Sequence, residues 1–569
     1  MRRALPFALT TALVVALIAA PAAADHSGSG DHQHPPAAAQ ATGHDEHAHS
    51  HDEEVEGLGA IRFPSGCKAE VQPAFDRGIA FLHSFGYHAA RAAFQEVAAA
   101  DPSCAMARWG EAMTWWHPLW APPTADELSA GVAAARAAAA LPAPGERERA
   151  YVAAIGTFYR DADTAPHGAR AAAYRDAMRE LADRFPEDDE ARIFYALALL
   201  GTAPPTDASL AQQRQAAKLL EELLPEHPRH PGIAHYVIHS FDYPELAELA
   251  LPAARAYAAI APGSAHARHM PSHIFVRLGL WDESIRSNLD SAANAQESIA
   301  QSHPGAISFD TLHAWDYLAY AHLQLGHDAK AREVADQVAA ASKFYEPNFA
   351  AAFALTAVPA RYALERRRWE EAAALRAPAH DLPWDRFPYV SAATDFAVAL
   401  GSARLGDATR ARAAVDRLAA TQARLAASPP AGPYDWAGHV EALRLAAAGW
   451  LARAERRDEE AIRLLTQAAE LDERVGKHPV TPGAVLPPRE LLGDLLLELG
   501  RPAEALAAYE AALAGAPNRL NGLLGAMRAA EGAGQKEKAE ELAGRLRALC
   551  RAPECEREGL AAAPQQAAG

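Results

Sequence analysis

Apolar and polar residues follow one another along the chain with a helical period, and the same arrangement returns at regular intervals. In "LLGDLLLELGRPAEALAAYEAALAGAPN" and the next segment, "RLNGLLGAMRAAEGAGQKEKAEELAGRL", an apolar helix leads through a glycine turn into a second helix rich in alanine. Gly500 and Gly534 are 34 residues apart, and so are Ala505 and Ala539. A fixed period of this length is typical of helix-hairpin repeats. Because the alternation that marks strands is nearly absent, the pattern predicts an all-α protein.

The repeat is also found upstream, in "AWDYLAYAHLQLGHDAKAREVADQ" and in residues 278–293 and 451–472. These units resemble the tetratricopeptide repeat (TPR). The resemblance implies a TPR-like α-solenoid, in which two helices form a hairpin and successive hairpins stack. From the repeat period we expect about a dozen helix pairs, with Pro-rich loops in the middle of the chain. A solenoid of this kind leaves one concave face free for binding.

Six short motifs go beyond the general repeat. They are "FPSGC" (63–67), "HSFGY" (83–87), "CAMARWGEAM" (104–113), "HPLW" (117–120), "HYVIHSFDYPELAE" (235–248) and "HARHMPSHIFVRLGLW" (266–281). With these motifs the chain is similar to a group of large exported bacterial TPR-containing proteins of uncharacterised function. The likeness covers most of residues 60–330, and only the repeat character continues beyond. We therefore expect a solenoid with histidine and aromatic motifs over 61–330 and a plain one over 331–560.

Two histidine pairs are set one repeat apart. His235 and His239 form one HxxxH pair and His269 and His273 another, and each residue of the second pair follows its counterpart by 34 positions. A spacing of four residues puts both imidazoles on the same side of a helix, about 6 Å apart. Two such pairs on adjacent helices could meet as a four-nitrogen site, for which zinc and copper are the candidate ions.

The same histidines also fit a binding groove, and the sequence favours this interpretation over the metal site. His266, His269 and His273 follow an i, i+3, i+7 stripe, which is typical of one helix face. His266 and His273 would lie about 10.5 Å apart along a regular helix, and Pro271 could kink that helix, so three ligands from this segment alone are not expected. The predicted groove residues are His83, Tyr87, His117, Trp120, His235, His239, Tyr243, His266, His269 and His273.

The chain begins with the pattern of a secretory signal peptide. A basic start is followed by an apolar run and an Ala-x-Ala site at Ala22 and Ala24, so we expect residues 1–24 to be removed and the mature protein to be periplasmic or secreted. Residues 25–60 are polar and hold seven histidines. We expect a disordered tail there, which either binds zinc, copper or nickel weakly or serves only as a linker. Residues 561–569 are predicted to be a second disordered tail.

Charge, cysteines and motifs limit the classes of function. The formal net charge of −18 argues against nucleic acid and anionic membranes as partners, and no apolar run after the signal reaches the ~18 residues of a membrane span. Four cysteines in a secreted chain predict disulfides. Three pairings are possible, and position favours Cys67–Cys104 and Cys550–Cys555. The motifs HExxH and GxSxG and the P-loop motif do not occur, so the sequence does not indicate an enzyme.

Two hypotheses follow. In the first, the protein is an exported TPR scaffold whose concave groove binds a protein or peptide partner. In the second, it is a metal-binding protein, either a carrier or a metal-dependent enzyme, with His235, His239, His269 and His273 as ligands. Stoichiometric zinc or copper that does not depend on the tail would favour the second.

Overall fold

The computed structural model of the protein describes residues 53–119, 122–204, 207–428, 434–551, 553–555 and 557. Within them nearly all of the regular secondary structure is helical, as the repeat pattern predicts, and the chain forms a TPR-like α-solenoid in which each helix lies against the next. The predicted signal peptide, most of the His-rich tail, Trp120 and the predicted tail at 561–569 lie outside the described residues. None of the described helices is both long and apolar enough to cross a membrane.

Twenty-five α-helices and four short strands are present in the described part of the chain. The first thirteen helices are α1 (Gln72–His83), α2 (Tyr87–Ala100), α3 (Ala105–Met113), α4 (Ala125–Ala140), α5 (Glu146–Tyr159), α6 (His167–Arg184), α7 (Asp189–Gly201), α8 (Ala211–Leu223), α9 (Pro231–Phe241), α10 (Ala247–Ile260), α11 (Ala265–His269), α12 (Pro271–Leu278) and α13 (Trp281–Ile299). The next twelve are α14 (Phe309–Gln324), α15 (Asp328–Ala340), α16 (Phe349–Glu365), α17 (Trp369–Ala374), α18 (Ser391–Arg404), α19 (Ala408–Ala427), α20 (Trp436–Ala454), α21 (Asp458–Val475), α22 (Pro488–Glu498), α23 (Pro502–Gly515), α24 (Leu520–Gly532) and α25 (Lys536–Leu549). The strands are β1 (Glu53–Val55), β2 (Gly59–Ile61), β3 (Ile307–Ser308) and β4 (Phe344–Tyr345); β1 pairs antiparallel with β2, and β3 pairs parallel with β4.

The last two hairpins, α22–α23 and α24–α25, show how the sequence builds one repeat. The turn glycines Gly500 and Gly534 adopt φ angles of 70° and 73°, a left-handed conformation that glycine reaches at little cost. Ala505 and Ala539 lie in the second helix of each pair and are buried, so the two helices of a hairpin can approach closely. The 34-residue period of the sequence is therefore a structural repeat.

The hairpin of β1 and β2 corrects one boundary of the sequence analysis. The disordered tail predicted over residues 25–60 ends too late, because its last residues are ordered. Ile61 is fully buried, and Ala60 N donates to Arg229 O at 3.0 Å. This strand therefore gains burial and a backbone partner from the helical body, which the tail composition did not reveal.

The helix that carries the second HxxxH pair is interrupted once. α11 ends at His269 and α12 begins with Pro271, and since proline has no N–H the regular i to i−4 bond is lost there. The chain keeps its helical direction, with Met270 N donating to His266 O at 2.9 Å. His266 and His269 lie before the interruption and His273 lies after it.

The segment between α21 and α22, residues 476–487, crosses back onto helices α14 and α16. We name it the returning segment. The Tyr317 hydroxyl in α14 donates to Val480 O at 3.2 Å, and the Arg361 guanidinium in α16 donates to Ala484 O at 2.7 Å. A site on α14 is therefore covered by the C-terminal part of the chain.

The hydrophobic core consists of two main clusters, one over residues 58–275 and one over residues 312–546. The change from one to the other falls in the region of α12 to α14. The division predicted at residue 330 instead falls inside α15. The histidine motifs thus lie where the two clusters adjoin.

The structure forms two disulfides, Cys67–Cys104 and Cys550–Cys555, which are the pairs favoured by position in the sequence. The first ties the segment before α1 to the start of α3, where Cys104 is the N-cap. The second follows α25 and lies close to Gly326, in the turn after α14. Both bonds therefore lie near the ends of the described helical body.

Candidate metal centre

Helix α9 presents the first HxxxH pair. It begins at Pro231, a residue suited to the first helical position because it needs no N–H partner there. His230 caps the helix by accepting a hydrogen bond from Ile233 N at 3.3 Å. His235 and His239 are one turn apart and share a helix face. Their Nε2 atoms lie 3.1 Å apart.

A third imidazole, from α11, completes this group. His266 Nε2 is 3.1 Å from His235 Nε2, and the ligand atoms of His235, His239 and His266 all lie within 4.8 Å of one another. We name these residues the outer triad, because His239 and His266 are partly exposed. His235 is fully buried, and its Nδ1 donates to His83 O at 2.7 Å. Its Nε2 therefore carries a lone pair, which faces both partners.

The second HxxxH pair is joined by a histidine from another helix. The Nε2 atoms of His269 and His273 lie 3.0 Å apart, and the ring of His313 in α14 is 4.2 Å from that of His269 between centroids. The ligand atoms of the three residues fall within 4.8 Å of one another. All three are at most 4% exposed, and we name them the inner triad.

Hydrogen bonds on the far side of two inner-triad rings set their tautomers. His269 Nδ1 donates to Asn288 Oδ1 at 2.6 Å, and that amide is oriented by its own bond to Ser284 O. His273 Nδ1 donates to Asp242 Oδ2 at 3.2 Å. A neutral ring has one N–H, so neither Nε2 carries hydrogen. Two lone pairs therefore face each other at 3.0 Å, and a bound cation would turn this repulsion into coordination.

Burial keeps these imidazoles neutral. The pKa values of His235, His269 and His313 are lowered well below 6.5, first by burial and then by neighbouring imidazoles. Burial also lowers the pKa of His273, although the Asp242 carboxylate opposes the shift. A proton shared between the rings is thus disfavoured near pH 7. Neutral imidazole is the form that binds metal.

The two triads are neighbours. The rings of His239 and His273 are 6.3 Å apart between centroids, and those of His266 and His269 are 6.4 Å apart. The four ligands predicted from the sequence, His235, His239, His269 and His273, do not surround one point, because each pair recruits its own third histidine. The corrected arrangement offers two ion positions side by side, each with three nitrogens.

His313 was missed because it is out of register with the repeat. It follows His273 by 40 residues rather than 34, since α13 is 19 residues long and β3 precedes α14. Its place on the first helix of a TPR-like hairpin is the one signal that could have found it. Asn288 and Asp242 gave no signal, because their role depends on the rings that they contact.

Asp242 joins the inner triad to the returning segment. Besides His273 Nδ1, it accepts hydrogen bonds from Arg277 Nε at 2.8 Å and Lys477 Nζ at 3.0 Å. Burial alone would raise the pKa of its carboxyl, but the Lys477 and Arg277 cations lower that pKa well below the usual range. Burial lowers the pKa of Lys477 to about 8, with Asp242 opposing the shift. The Tyr317 hydroxyl, 3.3 Å from His273 Nε2, also lies beside the triad.

Phe85 closes one side of the outer triad. Its ring centroid is 4.4 Å from that of His235, 5.5 Å from that of His266 and 5.6 Å from that of His239. Its φ angle of 54° lies in the left-handed region, which is unfavourable for a residue with a Cβ. Packing against the triad holds the residue in this conformation, so the "HSFG" turn places an apolar wall beside the ligands.

A third cluster of titratable groups is satisfied without an ion. His83 is fully buried, with Nδ1 3.0 Å from the Tyr236 hydroxyl and Nε2 2.9 Å from a Glu190 carboxylate oxygen. The other oxygen of Glu190 lies 3.0 Å from His230 Nε2. Burial would raise the pKa of the Glu190 carboxyl, but His83 and His230 lower it overall. Each facing pair of atoms here can share a hydrogen, unlike those of the triads.

The other described members of the predicted groove lie outside both triads. Tyr87 and His117 contact each other, with ring centroids 4.3 Å apart. The Tyr243 hydroxyl accepts a hydrogen bond from Gln213 Nε2 at 3.0 Å. His83, His235, His269 and His273, predicted to line an open groove, are interior residues instead.

No family model matches the chain. No curated protein matches it either. Among solved structures, the chain is similar to a monomeric mutant of IFIT1 with m7Gppp-AAAA, with a TM-score of 0.34 and 13% identity over 75% of this chain and 87% of that one. It is also similar to Naa15/Naa10 bound to HypK-THB, with a TM-score of 0.22 and 12% identity over 84% of this chain and 70% of that one. The geometry of the site is therefore the basis for inferring its function.

Proposed function

We propose that this protein is an exported metalloprotein whose TPR-like solenoid surrounds a paired centre, with one ion in each histidine triad. The observation that carries the proposal is the 3.0 Å distance between the Nε2 atoms of His269 and His273. Both rings donate their one N–H hydrogen on the far side. A cation between them removes a repulsion that the folded chain otherwise bears.

The outer triad supports the same proposal. His235 Nε2 faces the Nε2 atoms of His239 and His266, each at 3.1 Å. Its single lone pair can accept one hydrogen but not two. A metal ion satisfies all three nitrogens at once, whereas hydrogen bonds among the rings satisfy only part of them.

The donor set narrows the choice of ion. Six imidazole nitrogens suit zinc and copper, while magnesium and calcium prefer oxygen ligands. Three protein ligands for each ion also leave at least one coordination position open, as in catalytic rather than structural zinc sites. We therefore propose zinc or copper as the ions, with positions open for ion transfer or for chemistry.

We propose that the protein is exported, on the basis of its sequence. The signal pattern over residues 1–24 and the two disulfides suit an oxidising compartment such as the periplasm or the exterior of the cell. The histidines of the tail, which lie outside the described residues, would raise the local concentration of ions near the mature protein. Either a carrier or a metal-dependent enzyme fits this location.

Metal analysis of a variant whose tail cannot bind metal through histidine tests the proposal. In this full-length variant, which we name the silent-tail protein, seven tail histidines are changed to glutamine: His26, His32, His34, His44, His47, His49 and His51. We expect two zinc or copper ions for each chain by mass spectrometry after dialysis. The double variant His235→Ala/His269→Ala loses both ions, while the exposed control His88→Ala keeps them. Absence of stoichiometric metal from the silent-tail protein would overturn the proposal.

Binding of a protein or peptide partner stays a prediction. TPR-like solenoids present extended surfaces that suit such partners. Four of the nine described groove residues, His83, His235, His269 and His273, are buried, so contact with a partner would fall to the partly exposed ones. Pull-down with and without a chelator separates the two roles, since partner binding that survives metal removal does not depend on the paired centre.

A further inference from the structure

The ligands of the paired centre are neutral, and the surroundings of the inner triad are already positive. The six ligand atoms are imidazole nitrogens. Asp242 binds His273, and in turn it binds the cations Arg277 and Lys477. Two cations and one carboxylate leave one positive charge in excess beside these rings.

This balance of charge discriminates between the candidate ions. Two divalent ions would add four positive charges to a buried region, whereas two monovalent ions add two. Their mutual repulsion is about fourfold larger for the divalent pair at the same separation, and burial removes much of the water that would screen it. Of zinc and copper, only copper has a stable monovalent state. The centre as built therefore favours Cu(I).

Apolar walls strengthen the effect at the outer triad. Phe85 lies against all three of its rings, and Tyr257 stacks on His235 with centroids 5.1 Å apart. A region of low dielectric penalises uncompensated charge. Oxidation of the ions from Cu(I) to Cu(II) is therefore unfavourable here unless negative charge enters with it.

We propose that the paired centre, if it binds metal as inferred above, is a dicopper site that reacts with dioxygen. Each Cu(I) gives up one electron, dioxygen accepts both and becomes peroxide, and the O–O bond order falls from two to one. No proton is taken up. The dianion stays between the two Cu(II) ions, so the net charge of the centre is the same before and after the reaction.

The arrangement of the triads meets the requirements of this step. The two ion positions adjoin, since rings of opposite triads approach to 6.3 Å, and a diatomic ligand needs to reach both ions at once. Three nitrogens for each ion leave room for an oxygen atom. Partial exposure of His239 and His266 gives dioxygen a route to the centre from the outer side.

Anaerobic titration is the first arm of the test, with the full-length silent-tail protein. We expect two Cu(I) ions to bind with affinities within about tenfold of each other, and the second Zn(II) to bind at least about 100-fold more weakly than the first. Competition with a chromophoric Cu(I) chelator and with a zinc indicator measures both. If neither metal binds, the proposed function itself fails. If two Zn(II) ions bind as readily as two Cu(I), only the present inference fails.

Reaction with air is the second arm. We expect the dicopper protein to take up one dioxygen molecule for two copper ions and to release one hydrogen peroxide molecule on acid quenching. Cu(I) gives no electron paramagnetic resonance signal, and after oxidation the signal should stay absent or weak because the two Cu(II) ions are magnetically coupled. Full-intensity signals of two isolated Cu(II) ions, or no uptake of dioxygen, would overturn the inference.

Variants that lose one ion test whether the reaction with dioxygen requires both ions. His313→Ala removes one ligand of the inner triad and is expected to leave one strongly bound Cu(I) and no peroxide. If circular dichroism shows that this variant does not fold, His239→Ala, at a partly exposed position, serves the same purpose. His88→Ala, on an exposed side chain, should retain both ions and the full reaction. Peroxide formation by a single-ion variant would contradict the requirement for two ions.

Discussion

Lys477 Nζ lies 3.0 Å from Asp242 Oδ2, a contact between residues that are 235 positions apart in the chain. The same carboxylate oxygen accepts the Nδ1 hydrogen of His273. The returning segment thus acts on the inner triad through one carboxylate, and the charge of that carboxylate should set how strongly the triad holds an ion.

Opposite changes of charge at this contact should move metal affinity in opposite directions. Asp242→Asn keeps an oxygen near His273 but removes the negative charge that makes the ring a stronger donor, so we expect ion binding to weaken about 10- to 100-fold. Lys477→Met removes a positive charge and should strengthen binding by about tenfold. Competition with a chromophoric chelator at pH 7 measures both. Weaker binding in both variants would indicate damage to the fold rather than an effect of charge.

The stability of the metal-free protein should fall as the pH falls below 6.5. The inner-triad histidines have lowered pKa values in the folded state, while in the unfolded chain they titrate near 6.5. Below that pH the unfolded chain binds more protons, so unfolding becomes easier. Each such histidine contributes at most about 1.4 kcal/mol for each pH unit.

Urea unfolding at pH 7.5 and pH 5.5 measures this dependence. His313→Gln removes one of the titrating groups, so the loss of free energy between the two pH values should shrink. An equal loss in His313→Gln and the unchanged protein would show that other groups cause it. With copper or zinc present the stability should rise at both pH values while the dependence stays close to that of the metal-free protein, because the folded imidazoles are already unprotonated when they bind the ion.

The sequence predicts the hairpins and four of the six triad ligands. Periodicity and turn glycines are local properties, so the helices around Gly500 and Gly534 follow directly from them. The i, i+4 spacing also correctly predicts that His235 and His239 share a helix face, as their Nε2 atoms meet at 3.1 Å. What a local pattern shows is which side chains lie on the same side of one helix.

The rest of the site depends on contacts between elements. His266 joins the first pair through its contact with His235 on another helix, and His313 joins the second pair from α14. The 34-residue repeat of the sequence indicates neither contact. It instead favours one site formed by both HxxxH pairs together. Lys477 lies in the returning segment, and the repeat pattern predicts only a connecting loop there. The sequence thus indicates the chemistry, whereas the grouping of ligands requires the packed structure.

Phe85 should control both stability and ion exchange. Phe85→Ala removes a nearly buried ring that contacts the whole outer triad, and we expect a loss of about 3 kcal/mol of unfolding free energy. Water then reaches the triad more easily, so a bound ion should leave faster. Stopped-flow transfer to an excess of chelator measures the rate. Phe85→Leu, which keeps an apolar side chain, should exchange the ion at close to the original rate. Unchanged exchange in Phe85→Ala would show that the ring does not shield the site.

A substitution at Gly279 should show whether the C-terminal hairpins pack against the turn between α12 and α13. Its φ is 66°, and an added Cβ would lie 2.4 Å from Pro517 O. Gly500 has a φ of 70°, but nothing among the described residues lies within 4 Å of the place of its Cβ. Gly500→Ala should therefore cost only the left-handed strain, about 1 kcal/mol, while Gly279→Ala should cost at least about 2 kcal/mol because backbone must also move.

The measurement is the free energy of urea unfolding of both alanine variants, together with the fluorescence of Trp281. That indole donates its Nε1 hydrogen to Asn518 O at 2.8 Å, so displacement of the C-terminal hairpins should shift its emission in Gly279→Ala and not in Gly500→Ala. Since His273 of the inner triad lies on α12, the helix that ends at this turn, Gly279→Ala should also loosen ion binding. Equal costs and equal spectra in the two variants would mean that this end of the solenoid does not close on the histidine-bearing helices in solution.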